Sequence, residues 1–236
     1  MSQDSFRAER IVLHIPHSSP VIPKGYRDWD TGIMDHVFRW TDWFTDWIFC
    51  TAANGDSRIV PVVFPFSRFF CDVERLERDP LDSIGQGIIY TQFDGCTRHI
   101  SASERAVLFE RYYQAHMAIL RKSLTPTSFL LDCHSFPKDL SSVDVCIGTN
   151  NDWSRPPGRI LHQVSDVFEA NGYSVGINHP YSNSISPIMS FHYSSLMIEL
   201  NKRLYLDENE ELDYESACRV ISILETVFSI IFDEND

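Results

Sequence analysis

Ser128-Phe129-Leu130-Leu131-Asp132-Cys133-His134-Ser135 is the stretch whose reading decides the fold. Its apolar run is too short for a helix and reads as a buried strand over Ser128–Asp132. It then opens into polar residues. Ile11-Val12-Leu13-His14-Ile15 has the same form, stops at Pro16 and runs into His17-Ser18-Ser19. Two buried strands, each with a histidine at its carboxyl end, set the frame for the rest of the chain.

Working outward, Arg58–Val63, Arg68–Val73, Val143–Gly148, Tyr173–Ile177 and Ser195–Leu200 read as further strands. Ile33–Cys50 is aromatic-rich with helical spacing. Ser101-Ala102-Ser103-Glu104 has the form of a capping box and opens an amphipathic helix to about Leu124, ahead of Pro126. Pro156–Ala170 reads as a helix stopped by Asn171-Gly172, and Glu215–Phe232 as the last helix. Strands alternating with helices predict an α/β fold, a mostly parallel sheet covered on both faces, with ligands bound at the carboxyl ends of the strands. The 236 residues, without repeat or flexible linker, are read as one domain over 1–236.

Composition excludes several classes. The formal charge is −13 and there is no Lys/Arg-rich run, which argues against a nucleic-acid binder. The acidity gathers at Asp207–Glu211 and Asp233–Asp236, as a solvated surface. No apolar run approaches the ~18 residues of a membrane span, and Met1–Arg10 is too polar for a signal peptide. Six cysteines without CxxC spacing read as reduced thiols of a cytoplasmic protein. Gly85-Gln86-Gly87 lacks the spacing of a phosphate loop, and no GxSxG elbow is present.

His17 and His134 each follow a strand, at what should be one rim of the sheet. Either alone reads as a hydrogen-bonded loop histidine; the pair reads as half of a zinc site, which needs a third ligand and an open position. Asp42 and Asp46, four residues apart on one predicted helix face, are the candidates for that ligand, with Asp42 preferred; an exposed acidic helix face is the alternative. His14 reads as packing or as support for a ligand, and Asp132 as either orienting an imidazole or capping a loop. Arg68 and Arg75 suit a carbonyl oxygen and a substrate carboxylate, or else pair with Asp72, Glu74, Glu77 or Asp79. Glu199, in Leu196-Met197-Ile198-Glu199-Leu200, is either a buried general base or an outward residue of an edge strand. Ser135, next to His134, is a candidate to touch substrate.

In order along the chain, these segments resemble the N-formylglutamate amidohydrolase family. The pieces are His14-Ile15-Pro16-His17-Ser18, Thr41-Asp42-Trp43 with Asp46, Ser67-Arg68 through Asp72 and Arg75, Gly85-Gln86, Asp132-Cys133-His134-Ser135, Ile147-Gly148-Thr149 and Ile198-Glu199-Leu200. The resemblance implies a three-layer α/β/α sandwich like that of the zinc exopeptidases, with one zinc ion per chain. His17, Asp42 and His134 would be its ligands and Glu199 the general base and acid. Arg68 would polarise the scissile carbonyl, and Arg75 would bind the carboxylate of an N-acyl amino acid or short peptide. Two places depart from the family pattern. Glu74-Arg75 stands where relatives have Asn-Arg, and Asn178 to Ser184 replaces a glycine-rich stretch. Both touch the substrate pocket and admit other readings: a peptidase or deacylase for another carboxylate-bearing substrate, or an inactive small-molecule-binding homologue.

Overall fold

A computed structural model describes residues 6–26, 28–30 and 32–233; Met1–Ser5 and Glu234–Asp236, parts of the polar start and of the second acidic cluster, lie outside these. In chain order the elements are β1 (Arg10–Ile15), α1 (Ile33–Trp40), α2 (Thr45–Ala52), β2 (Ile59–Val63), β3 (Gln92–Phe93), β4 (Cys96–Thr97), α3 (Ala102–Leu108), α4 (Gln114–Ser123), β5 (Ser128–Phe136), β6 (Val145–Gly148), α5 (Gly158–Ala170), β7 (Val175–Ile177), β8 (Ser194–Asn201) and α6 (Tyr214–Phe232). The main sheet has the order β2-β1-β5-β8-β6-β7, and every neighbouring pair is parallel except β6 with β8. The expected α/β architecture with a mostly parallel sheet is therefore what forms, mixed only by the antiparallel β6–β8 pair.

The central strands β5 and β8 are buried along their whole length. One face is apolar to the end: Ile11, Leu13 and Ile15, Phe129, Leu131 and Cys133, and Leu196, Ile198 and Leu200 join one core with α2, α5 and α6. The opposite face begins apolar at Val12 and Leu130. Because successive side chains alternate between faces, the same rows then carry His14, Asp132, His134 and Glu199, all buried. Desolvated polar groups of this density are costly unless they satisfy one another or a ligand. The switch from apolar to polar at the strand ends marks the site.

Four local expectations change. The helix predicted over Ile33–Cys50 is two helices, because Phe44 adopts φ 62 and breaks the run. Thr41 Oγ1 closes α1 by donating to the Val37 carbonyl, and Thr45 Oγ1 donates to that of Asp42. Asp42 and Asp46 therefore do not share a helix face; Asp46 lies in the first turn of α2, half-buried. The strand predicted over Arg68–Val73 does not form. Its backbone bonds locally, with Phe70 and Cys71 N–H donating to the Ser67 carbonyl. Phe69, Phe70, Cys71 and Val73 are all fully buried, without the alternation of a sheet. Strand β5 runs on to Phe136, so His134 lies within the strand rather than after it. The capping box at Ser101 is present, but the helix it opens contains a π turn at Phe109–Tyr113. No helix among the described residues is long and apolar enough to cross a membrane.

Candidate active site

His17 leaves β1 through Pro16, and its carbonyl accepts from the Asp42 N–H at 2.9 Å. That bond exists because the chain breaks between α1 and α2, and it carries the Asp42 carboxylate to the rim of the sheet. His134 and Glu199 are register partners on β5 and β8. The turn after Ser67 delivers Arg68, Asp72, Glu74 and Arg75 from the side.

The two imidazoles are held in parallel ways. His17 Nε2 donates to Asp72 Oδ1 at 2.8 Å. Tyr90 Oη and the Glu74 N–H also donate to Asp72. His134 Nε2 lies 3.0 Å from Asp132 Oδ1, off the line of a hydrogen bond, and is a buried nitrogen without an aligned partner. Asp132 is thus placed to orient an imidazole and does not merely cap a loop; it also accepts from His14 Nδ1 at 2.8 Å and from the Ile185 N–H. The Nδ1 atoms of both histidines turn toward the same carboxylate oxygen. Asp42 Oδ2 is 3.2 Å from His134 Nδ1 and 3.8 Å from His17 Nδ1.

A fourth carboxylate arrives from the loop. Glu74 lies 3.8 Å from His17 Nδ1 and 3.9 Å from His134 Nε2. His17, Glu74 and His134 each offer a ligand atom within 4.8 Å of the other two, a group able to hold a metal ion. Glu74, expected from the sequence at the substrate pocket, thus also reaches the two histidines. Nothing in Glu74-Arg75 announces that the loop turns back onto the two histidines.

Donor atoms of a tetrahedral zinc site, with bonds of about 2.0–2.1 Å, lie roughly 3.3 Å apart. The 3.2 Å between Asp42 Oδ2 and His134 Nδ1 matches this, and the other contacts of Asp42 and Glu74 with the two histidines, at 3.8–3.9 Å, are longer. The electrostatics ask for a cation at the same place. Burial alone would push the Asp42, Asp72 and Asp132 carboxyls up, yet their histidine and arginine neighbours hold all three below the usual range. Burial would lower His134, but Asp132 and Glu74 raise it well above an ordinary imidazole. Arg68 Nη2 meanwhile donates to His17 Nδ1 at 2.5 Å and lies 3.7 Å from Asp42 Oδ1. Without an ion, the Arg68 guanidinium and the pull of these carboxylates on His134 toward its charged form stand in for that positive charge. The donor set fits a divalent ion on these grounds.

Glu199 is buried and its Oε2 has no hydrogen-bond partner. Burial, with Asp42 and Glu74 adding to it and His134 and Arg68 opposing, pushes its carboxyl up to about 8. Glu199 is therefore an inward residue of an interior strand, not an exposed one at an edge. Arg75 Nε is 3.6 Å from Asp72 Oδ2. With Glu74, Arg75 lines a cleft of about 390 Å³ whose far wall is Asn150 and the 182–186 segment. A hollow of about 490 Å³ between Leu76–Asp79 and α3 contains none of the candidate residues. Ser135 is not brought to the group. Strand alternation turns it to the opposite face from His134, where it is buried beside the Tyr205 hydroxyl.

Residues 9–206 match the family model for N-formylglutamate amidohydrolase. Among solved structures, the chain is similar to N-formylglutamate amidohydrolase from Ralstonia eutropha JMP134, with 20% identity and a TM-score of 0.77 over 98% of this chain and 95% of that one. It is also similar to the gene product Atu2144 from Agrobacterium tumefaciens, with 14% identity and a TM-score of 0.71 over 99% and 94%. At these identities the structural likeness is one of fold. No curated protein matches.

Proposed function

The chain belongs to the N-formylglutamate amidohydrolase family, and from that premise we propose that it is a zinc-dependent hydrolase of the amide bond in N-acyl amino acids such as N-formyl-L-glutamate. The observation that carries this reading is the pair of buried histidines, each backed by a carboxylate on Nε2 and each turned by Nδ1 toward Asp42 Oδ2. Carboxylate-backed imidazoles are the usual way a protein orients zinc ligands. His17 and His134 would hold the ion with Asp42 as third ligand, because Asp42 is rigidly placed and faces both Nδ1 atoms. Glu74, half-buried at the cleft, would flank the open position.

A zinc ion held there supplies the positive charge that acidifies a water and polarises a carbonyl. Glu199 takes the proton of the attacking water and passes it to the leaving amine. Its buried carboxyl, with one oxygen unpartnered, suits both roles. Arg68 swings from His17 to the carbonyl oxygen and stabilises the charge that develops there. Arg75, in the cleft wall, grips the substrate carboxylate. Three buried free thiols, Cys71, Cys133 and Cys146, suit a reducing, cytoplasmic setting.

Glu74 favours a second reading. Its carboxylate stands beside Arg75 in the cleft and opposes an acidic substrate side chain, so an N-acyl amino acid with a neutral or basic side chain is the alternative substrate. Release of formate and amine from a panel of N-formyl amino acids tests both readings. Turnover of N-formylglutamate above its neighbours supports the first, and the reverse order supports the second. No turnover of any member, with zinc supplied, would remove the hydrolase assignment.

A further inference from the structure

A line of buried polar side chains runs behind the site, away from substrate. His116 Nε2 is 3.1 Å from His14 Nε2, and His14 Nδ1 is 2.8 Å from Asp132 Oδ1. Asp132 Oδ1 is in turn 3.0 Å from His134 Nε2. His116 is 5% exposed and the other three 1% or less. The last three members sit on neighbouring strands of the sheet, whereas His116 comes from α4.

The fold departs from regular geometry to put His116 there. Continued at α-helical spacing from the buried Leu108, the helix would turn Tyr112, Ala115 and Ile119 to the sheet. The π turn at Phe109–Tyr113 inserts one residue. The buried positions become Tyr113, His116, Met117 and Leu120, while Ile119 is left 57% exposed. An imidazole is thereby buried and an isoleucine exposed, the reverse of what apolar burial alone favours. Burial, with His14 and His17 adding to it, pushes His116 down to about 3, so it stays neutral. Of two nitrogens 3.1 Å apart, one must donate and the other accept. The contact therefore fixes the rotation of the His14 ring, and His14 fixes the Asp132 oxygen that faces His134.

We propose that His116 is a positioning residue for the metal centre, acting through His14 and Asp132 to hold the His134 ring in its ligating orientation. The inference rests on the metal reading of the site given above. Supporting groups of this kind change metal affinity rather than only fold stability.

The test compares zinc affinity, by chelator competition, and metal-free melting temperature in wild type, His116→Leu and His116→Gln. The Leu variant should bind zinc about tenfold more weakly, the low end for a group that supports a ligand, with a metal-free melting temperature equal to or above wild type. Gln, whose amide can both donate and accept, should restore the affinity. The His14 Nδ1–H proton resonance should persist in wild type and the Gln variant and be lost in the Leu variant. Should the Leu variant not fold, His116→Asn, too short to reach His14, takes its place with the same expected loss. Wild-type affinity in His116→Leu, or equal weakening in Leu and Gln, would overturn the inference and leave the metal site standing. A wild-type protein that holds no zinc would overturn the metal reading and this inference with it.

Discussion

His134 and Glu199 face each other in register on adjacent parallel strands, with Cys146 on the far side of Glu199. Neighbouring strands lie about 4.8 Å apart, so the sheet itself holds a buried, partly unpartnered carboxylate next to a candidate metal ligand. No loop has to order for the two to meet.

Glu199→Gln should keep bound zinc and lower kcat by about 10²–10⁴, the usual contribution of a positioned acid–base group. The amide is nearly isosteric but cannot take a proton from water. Steady-state kinetics with metal analysis on the same preparation check this. Unchanged kcat would take Glu199 out of the mechanism.

The raised Glu199 carboxyl also fixes a pH dependence. In the folded, metal-free protein it holds its proton to about pH 8, whereas the unfolded chain releases it near 4.5. Between those values the folded state binds more protons, so this group's stabilisation is present below 4.5 and is lost as pH rises toward 8. The slope is about 1.4 kcal/mol for each pH unit. Denaturant melts of metal-free wild type should show this loss between pH 5 and 8, and Glu199→Gln should remove it. Parallel pH curves for the two proteins would contradict the burial of an ionisable Glu199.

Arg68→Met separates binding of the ion from chemistry. Arg68 contacts His17 Nδ1 in this structure and must leave for an ion to bind. The variant should bind zinc at least as tightly as wild type while kcat falls by about 10²–10³, as for loss of an oxyanion donor. Zinc titration followed by kinetics measures both. Weakened zinc affinity would mean that Arg68 supports the metal site.

The two carboxylates that face the histidines should separate as well. Asp42→Asn should weaken zinc by about 100-fold or more, beyond the range for supporting groups, and Glu74→Gln by much less. Competition titrations decide between them, and the opposite order would make Glu74 the third ligand.

Much of this fold was legible because strands buried on both faces give continuous apolar runs. Ile11–Ile15 and Ser128–Asp132 could hardly be anything else, and the histidines at their ends pointed to one rim. Glu199 stood out for the same reason, as a lone carboxylate in an apolar strand. What stayed hidden depended on backbone breaks. Phe44 in a left-handed conformation divides a segment with good helical spacing, and that division is what brings Asp42, and not Asp46, to His17. The turn after Ser67 has a strand's composition because Phe69, Phe70, Cys71 and Val73 are core residues without a sheet. Glu74 and His116 reach the site through that turn and through a π turn, and neither feature leaves a period in the sequence. Ser135 is next to His134 in sequence, but strand alternation sends it to the other face.

The most direct test of the central claim is zinc content and N-formyl-L-glutamate hydrolysis measured on the same samples of wild type, His17→Ala and His134→Ala, before and after chelation and zinc return. The account predicts about one zinc per wild-type chain, activity lost on chelation and restored by zinc, and neither metal nor activity in the two variants. Full hydrolysis by chelated wild type, or normal zinc content in both histidine variants, would contradict it.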